Sequence, residues 1–213
     1  MNTSTYWEAP ALVALTSEIN AAAPKRSKVS DGWIGDKAHA SRDSEHNPAN
    51  WPKAWTGVVR ARDYTHDPKG GLDCSEIAQD LVELMRAGTH PALGPGAYVI
   101  WAGRIISFNR LAEGWRPYTG TNPHTKHLHL SVAEAAAGYN SKARWGVLAD
   151  DPADPVARPK RIARYLAESK VEVERLVKAR EAAIRRGEDP STYTMAIRAL
   201  RDSRRAAKKI AWR

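Results

Sequence analysis

The histidines of this chain are concentrated in one short segment. Of the seven, His124, His127 and His129 lie within six residues of one another. From His127 onward, polar and apolar residues alternate, which is the pattern of a half-buried β-strand. On such a strand His127 and His129 point to the same face, about 7 Å apart. Two imidazoles on one face of a rigid element favour a metal site; partly exposed histidines on an edge strand are the alternative.

A second segment offers a partner for these histidines. It contains Ser44-Glu-His46, then a loop, then a strand pattern at residues 58–64 in which Asp63 shares a face with small apolar residues. A carboxylate that points inward needs a partner, because burial of an unpaired charge is very costly. A metal ion is one such partner; an arginine or a helix N-terminus is another. One carboxylate and two imidazoles suit zinc, with water in the fourth position of a catalytic site.

Together, the two segments resemble the M15 family of zinc peptidases, which cut the stem peptides of peptidoglycan. The family's first motif is Ser-x-His followed by an Asp, and its second is a His-x-His near the end of the domain. The matching residues here are Ser44, His46, Asp63, His127 and His129. The sequence around the motifs is similar to that of the family branch found in phages of actinobacteria. The resemblance covers roughly residues 30–135.

The resemblance also implies roles for individual residues. It makes the zinc ligands His46, Asp63 and His129. Zinc would lower the pKa of a bound water and polarise the scissile carbonyl. Many family members place an acidic base where this chain has Lys126, but others have His-x-x-His-x-His, which this chain matches. His127 is therefore expected to stabilise the transition state or position the water, and His124 is the candidate base; these two roles are interchangeable at this stage.

Substrate contacts are expected from basic and aromatic residues near the first motif. Arg42 and Lys37 are candidates to bind a substrate carboxylate, and Arg42 suits it better because its planar guanidinium matches that group. A solvated surface charge is the alternative for both. The family has six residues between the first His and the Asp, whereas residues 47–62 intervene here. We interpret these as a loop inserted beside the site, where Trp51 and Trp55 either line the cleft or pin the loop.

Three nearby residues leave other interpretations open. If His46 is not paired with Asp63, then His66 and Asp67 are the alternative ligands, although capping of a loop is the simpler role for them. Cys74 is the only cysteine, which excludes an intramolecular disulfide framework. A catalytic cysteine is conceivable, but a packed residue near a helix start is the more ordinary interpretation.

The hydrophobic pattern predicts an α+β fold, with a few helices on a small, mostly antiparallel sheet. The resemblance implies the zinc-peptidase fold shared by hedgehog-like domains and DD-peptidases. We expect the peptidase domain at 1–149, with an N-terminal helix at about 10–23, and a linker at 150–156. The remaining predicted elements are strands at 58–64, 98–101, 104–108 and 127–132 and a helix at 75–86.

The C-terminal region, residues 157–213, carries most of the net charge. Residues 151–213 hold 17 lysines and arginines against 9 acidic residues, and the whole chain has a net charge of +9. Two helices are predicted, at about 159–186 and 191–211, as a basic hairpin. Such a surface attracts polyanions, of which anionic wall polymers are the expected partner. No nucleic-acid-binding signature is present, and a solvated helical face is the alternative.

The resemblance implies a zinc-dependent peptidoglycan peptidase of the phage endolysin type, which is expected to cleave the L-Ala-D-Glu or D-Ala-diaminopimelate bond. A D-Ala-D-Ala carboxypeptidase with the same site is one alternative. A non-catalytic phage structural protein that binds wall or nucleic acid through the basic tail is an alternative of another class. The sequence contains no signal-peptide pattern and no transmembrane run. We therefore expect the protein in the host cytoplasm until lysis, and then at the cell wall, or else in the virion.

Overall fold

Five antiparallel strands form the sheet on which the fold is built. The computed structural model describes residues 5–36, 39–148 and 157–211. Its strands are β1 (Tyr6–Glu8), β2 (Gly57–Val59), β3 (Ala61–Thr65), β4 (Tyr98–Trp101), β5 (Arg104–Ser107), β6 (Arg116–Pro117) and β7 (His127–Ser131). The main sheet has the order β3-β7-β4-β5-β6, and β1 and β2 form a separate parallel pair.

The helices begin and end where local signals require. They are α1 (Pro10–Ala22), α2 (Cys74–Ala87), α3 (Ala136–Tyr139), α4 (Ala157–Arg185) and α5 (Ser191–Ala211). The carboxylate of Asp73 accepts a hydrogen bond from the amide of Ser75 and so caps α2. The same helix ends at Gly88, whose φ of 62° is in the left-handed region that favours glycine.

The predicted α+β class is confirmed, but the strand predicted at residues 58–64 is wrong in one respect. The chain forms two strands there, β2 and β3, which are separated by Arg60. β2 pairs with β1, whereas β3 pairs with β7. At the break, the Arg60 amide bonds to the Glu45 carbonyl at 3.3 Å, and the side chains of these two residues form an ion pair at 2.6 Å. These two contacts with Glu45 stabilise the break at Arg60, where the chain changes from pairing with β1 to pairing with β7.

β7 lies in the middle of the sheet and has two different faces. It is hydrogen-bonded to β3 on one side and to β4 on the other, so its histidines do not lie on an edge strand. Leu128 and Leu130 are fully buried on the apolar face, while His127 and His129 point to the opposite face. The apolar face belongs to a core that includes Leu12, Leu15, Ile19, Ile77, Leu81, Met85 and Trp145. The polar face is thereby left for the candidate site.

Helices α4 and α5 pack against each other and touch the sheet at its β5–β6 end. Leu176, Ala196, Ile197 and Leu200 form their shared apolar cluster. Glu172 of α4 forms an ion pair with Arg104 of β5 at 3.4 Å, and Arg175 donates to the carbonyl of Trp115 at 2.9 Å. The predicted linker at 150–156 lies outside the described residues. Among those that are described, no helix combines the length and apolar character needed to cross a membrane.

A buried ion pair attaches the loop before the first motif to β3. The guanidinium of Arg26, whose side chain is fully buried, binds both carboxylate oxygens of Asp31 at 2.9 and 2.6 Å. Asp31 also accepts hydrogen bonds from the amide and the hydroxyl of Thr65 at 2.9 and 2.8 Å. Burial alone would raise the pKa of Asp31, but the hydrogen bonds from Arg26 and Thr65 hold it below the ordinary value.

We predict that Arg26→Ala lowers the free energy of unfolding by about 3 kcal/mol or more, because it leaves the Asp31 carboxylate buried without its cation. Arg110→Ala is the matched control, since its pair with Glu113 is exposed and should contribute less than about 1 kcal/mol. Urea denaturation at pH 7 measures both. If both variants lowered the free energy of unfolding equally, the stabilising role of the buried Arg26–Asp31 pair would be contradicted.

The same pair predicts a pH dependence. Because the pKa of Asp31 is lower in the folded protein, its stabilising contribution is present above the unfolded-state pKa of about 3.9. It is lost as the pH falls through the folded-state pKa. The stability difference between the wild type and Asp31→Asn should therefore shrink below about pH 4. Denaturation curves from pH 7 to pH 3 measure this difference, and a constant difference would exclude the linkage.

Candidate metal centre

The strand register brings two of the predicted ligands together. Asp63 of β3 lies directly opposite His129 of β7, so both side chains stand on the same face of the sheet. His46 reaches them from the loop before the inserted segment. Its carbonyl accepts a hydrogen bond from the amide of Gly35 at 2.9 Å, and its amide donates to the hydroxyl of Ser44 at 3.3 Å. Three separate chain segments thus converge on one point.

The donor atoms of these three residues form a compact triangle. His129 Nδ1 lies 3.1 Å from Asp63 Oδ1 and 3.2 Å from His46 Nε2. His46 Nε2 lies 3.4 Å from Asp63 Oδ1. A tetrahedral zinc ion with ligands at about 2.0–2.1 Å has its ligand atoms about 3.3 Å apart. The three residues therefore fit one face of a zinc coordination tetrahedron, and a fourth position would remain for water or substrate.

Outer hydrogen bonds fix the orientation of both imidazoles. His46 Nδ1 lies 3.2 Å from the carbonyl of Trp33. A carbonyl only accepts, so this nitrogen donates and Nε2 keeps its lone pair on the side of the triangle. His129 Nε2 lies 2.9 Å from the hydroxyl of Ser131, which leaves Nδ1 to face Asp63. Such second contacts orient metal-binding histidines and select the tautomer that binds the ion.

The pKa shifts of Asp63 and His129 favour the protonation states that metal binding requires. Burial alone would raise the pKa of Asp63, but the neighbouring His129 and His46 hold it far below the usual range. Burial lowers the pKa of His129, with Asp63 acting in the opposite direction. A carboxylate and neutral imidazoles are the protonation states in which these groups bind metal.

His124 and His127 lie beside the triangle. The ring of His124 packs edge-to-face on His127, with centroids 5.0 Å apart, and its centroid lies 5.5 Å from that of His129. Burial and, to a smaller extent, the neighbouring His129 lower the pKa of His124 to about 3. The backbone at His124 has a φ of 49°, in the left-handed region, where a residue with a side chain is strained. An asparagine side chain, that of Asn122, accepts the His124 amide at 3.0 Å and supports this conformation.

The triangle and the two neighbouring histidines, His124 and His127, line a cleft with a volume of about 670 Å³. Arg42 lines this cleft, and its contact with a substrate stays a prediction. Trp55 is not among the described residues that line it, and Lys37 lies outside the described residues. The cleft also contains two tyrosines that the sequence did not single out, Tyr98 and Tyr118. Tyr98 stacks on His129 at a centroid distance of 5.3 Å.

The residues considered as alternatives have structural contacts elsewhere. His66 Nδ1 accepts a hydrogen bond from the amide of Cys74 at 3.1 Å, next to the start of α2. Asp67 accepts hydrogen bonds from the amides of Ser27 and Gly70. Cys74 itself is fully buried, its thiol donates to the carbonyl of Tyr64 at 3.4 Å, and burial raises its pKa. His66 and Asp67 therefore stabilise a helix start and a turn, and Cys74 is a packed thiol.

Comparisons with protein-family models, with curated proteins and with solved structures found no match. Among the residues that the structure describes, two groups could hold a metal ion: His46, Asp63 and His129, and Asp63, His124 and His127. The geometry of these groups is therefore the basis on which a function can be proposed.

We predict that His129→Ala abolishes tight zinc binding, because it removes one corner of the donor triangle. His66→Asn is the matched control: the asparagine carbonyl can still accept the Cys74 amide, and zinc binding should be unchanged. Metal analysis after dialysis against buffered zinc, with circular dichroism to verify folding, measures both. Loss of zinc from the His66 variant and retention by the His129 variant would favour the alternative ligand set.

Proposed function

We propose that this protein is a zinc-dependent peptidase of the M15 type that hydrolyses a peptide bond in the stem peptide or cross-link of peptidoglycan. The observation that carries the proposal is the triangle of His46, Asp63 and His129, with donor atoms 3.1–3.4 Å apart at the wall of an open cleft. A structural zinc site would be closed by four protein ligands, whereas a catalytic site keeps a position for water. The order of the sequence motifs supports the same family, with residues 47–62 as an insertion between the first His and the Asp.

The residues around the triangle suit hydrolysis. A zinc ion held by these ligands would polarise the scissile carbonyl and acidify a water molecule. His124 and His127 face the same cleft, where one imidazole can accept the proton of the attacking water and pass it to the leaving amine. Burial and its neighbours lower the pKa of His124 to about 3, so this imidazole is neutral at physiological pH but a weak base, and the proton-accepting role falls to His127. The other imidazole is then available to donate a hydrogen bond to the developing oxyanion.

Arg42 is the one lysine or arginine among the described residues that line the cleft, and it suits a carboxylate of the substrate. The exposed side chain of Arg42 lies on the cleft wall, and peptidoglycan stem peptides carry free carboxylates. A guanidinium binds a carboxylate through two parallel hydrogen bonds, which would set the register of the peptide across the zinc site. We favour an L-Ala-D-Glu or D-Ala-diaminopimelate endopeptidase over a D-Ala-D-Ala carboxypeptidase, since removal of a terminal D-Ala does not lyse a wall. As an endolysin, the protein would wait in the host cytoplasm until lysis.

A non-catalytic protein that binds the wall is the second candidate, and one feature of the helices α4 and α5 favours a binding role. The groove between them is lined by four arginines: Arg180, Arg198, Arg201 and Arg205. Such a row of guanidinium groups attracts anionic polymers. In the peptidase proposal this groove would attach the enzyme to anionic wall polymers. In the alternative it would be the working part of the protein, and no bond would be cut.

We predict that the purified protein releases new peptide termini from diaminopimelate-type peptidoglycan. Mass spectrometry of the digest identifies the bond, because an L-Ala-D-Glu cut and a cross-link cut leave different N-terminal residues. The new termini should vanish with a zinc chelator and with His129→Ala, and persist with His66→Asn. A folded, zinc-loaded protein that sediments with the wall but produces no termini would support the binding alternative instead.

We predict that Arg42→Ala raises KM by about tenfold with a smaller change in kcat, as expected for loss of a charged hydrogen bond of about 1.5 kcal/mol. Arg42→Lys should restore only part of the affinity, because an ammonium lacks the planar fork. Arg110→Ala is the matched control, since this exposed arginine does not line the cleft. Steady-state kinetics on a soluble stem peptide measure these effects, and an unchanged KM in Arg42→Ala would remove this residue from the substrate site.

A further inference from the structure

Asp63 has a second oxygen that belongs to a different cluster from the first. Its Oδ1 lies in the triangle with His46 and His129, while its Oδ2 lies 3.7 Å from His127 Nε2. One donor atom each from Asp63, His124 and His127 lie within 4.8 Å of one another. A carboxylate can use its two oxygens for two cations at once, so the two clusters are not mutually exclusive.

The ring nitrogen of His127 that faces Asp63 carries a lone pair. Asn122 Oδ1 accepts the amide of His124 at 3.0 Å, which fixes the orientation of the Asn122 side chain. Its Nδ2 group therefore donates towards His127 Nε2, 3.4 Å away, and that nitrogen is the acceptor. His127 Nε2 and Asp63 Oδ2 then face each other as two acceptors at 3.7 Å, too far apart for a hydrogen bond. A cation between them would attract both.

His124 provides an independent observation. Its side chain lines the cleft although the residue is only 7% exposed, and its Nδ1 atom is buried without a hydrogen-bond partner among the described residues. Buried polar atoms are almost always paired, and an ion is one of the partners that explain an exception. His124 takes this position with a φ of 49°, in the left-handed region, a strained conformation of the kind that clusters at functional sites.

We propose that Asp63, His124 and His127 form a second site for a divalent transition metal such as zinc, with Asp63 bridging it to the first site. Two imidazoles and a carboxylate are borderline ligands that suit zinc. The second site is the weaker of the two, because its donors are more widely spaced and a cation already bound to Asp63 repels another. The second ion also occupies the two imidazoles that the proposed function needs for proton transfer. Excess zinc is therefore an inhibitor, a consequence that rests on the proposed function.

Titration of the metal-free protein with zinc tests the second site without any substrate. We expect two equivalents, the second bound at least about tenfold more weakly because of charge repulsion between the cations. His127→Ala should remove the second step and keep the first, and His66→Asn should keep both. His124→Gln is a second variant in case loss of one imidazole disturbs the fold. Isothermal titration calorimetry gives the stoichiometry, and cobalt(II) absorption reports the coordination at each step.

Two results would overturn the second site. One is a single equivalent of zinc in the wild type, up to concentrations a hundredfold above the first Kd. The other is an unchanged second step in both His127→Ala and His124→Gln. A parallel assay of peptidoglycan cleavage separates this proposal from the proposed function. Two binding steps without cleavage would support the second site and reject the peptidase function. Cleavage with one binding step, and no inhibition by excess zinc, would support the peptidase function and reject the second site.

Discussion

The pairing of β3 with β7 is the constraint on which the rest of the site depends. Asp63 faces His129 because the register is fixed, and a slip of one residue would turn one of them to the other side of the sheet. The register is specified by the apolar side of β7, where Leu128 and Leu130 are fully buried in the core. The free energy of hydrophobic burial on one face therefore holds polar groups together on the other. This arrangement positions a carboxylate beside an imidazole before any ligand binds.

Much of this could be predicted from the sequence, because it depends on local periodicity. The alternation from His127 onward predicts both the strand and the face of its histidines, and the inward side of Asp63 follows from its neighbours. The break at Arg60 could not be predicted, since it depends on pairing with β1, about fifty residues earlier in the chain. The expectation for Trp55 depended on a loop path that no pattern encodes. In the structure, the indole of Trp51 donates to the carbonyl of Ala40, which attaches the loop to the segment before the first motif.

The alternation along β7 also indicates one supporting residue of the candidate site, Ser131. Ser131 lies two residues after His129, on the same face of the strand, where the same alternation predicts a contact with the imidazole. Tyr98 and Asn122 had no such signal, because each reaches the site through tertiary contacts alone. Side chains that support a site from neighbouring strands and loops carry no fixed spacing, and a sequence without relatives does not distinguish them from surface residues.

Helix α5 contacts the β4–β5 turn, and this turn is hydrogen-bonded to the segment that carries His124 in the cleft wall. Ala196 of α5 lies against Gly103, in the turn between β4 and β5. The amide of Gly103 bonds to the carbonyl of Pro123, and the neighbouring amide of Ala102 bonds to that of His124. A short chain of contacts thus joins the basic helices to the strained histidine.

Cys74 has a practical consequence of a different kind. It is the chain's only thiol, and it is fully buried within the core, where the start of α2 meets β3. A thiol-specific label can reach it only when this part of the domain opens. The rate of labelling, followed with and without zinc, therefore reads out whether added zinc stabilises this part of the sheet, and no probe has to be engineered into the protein.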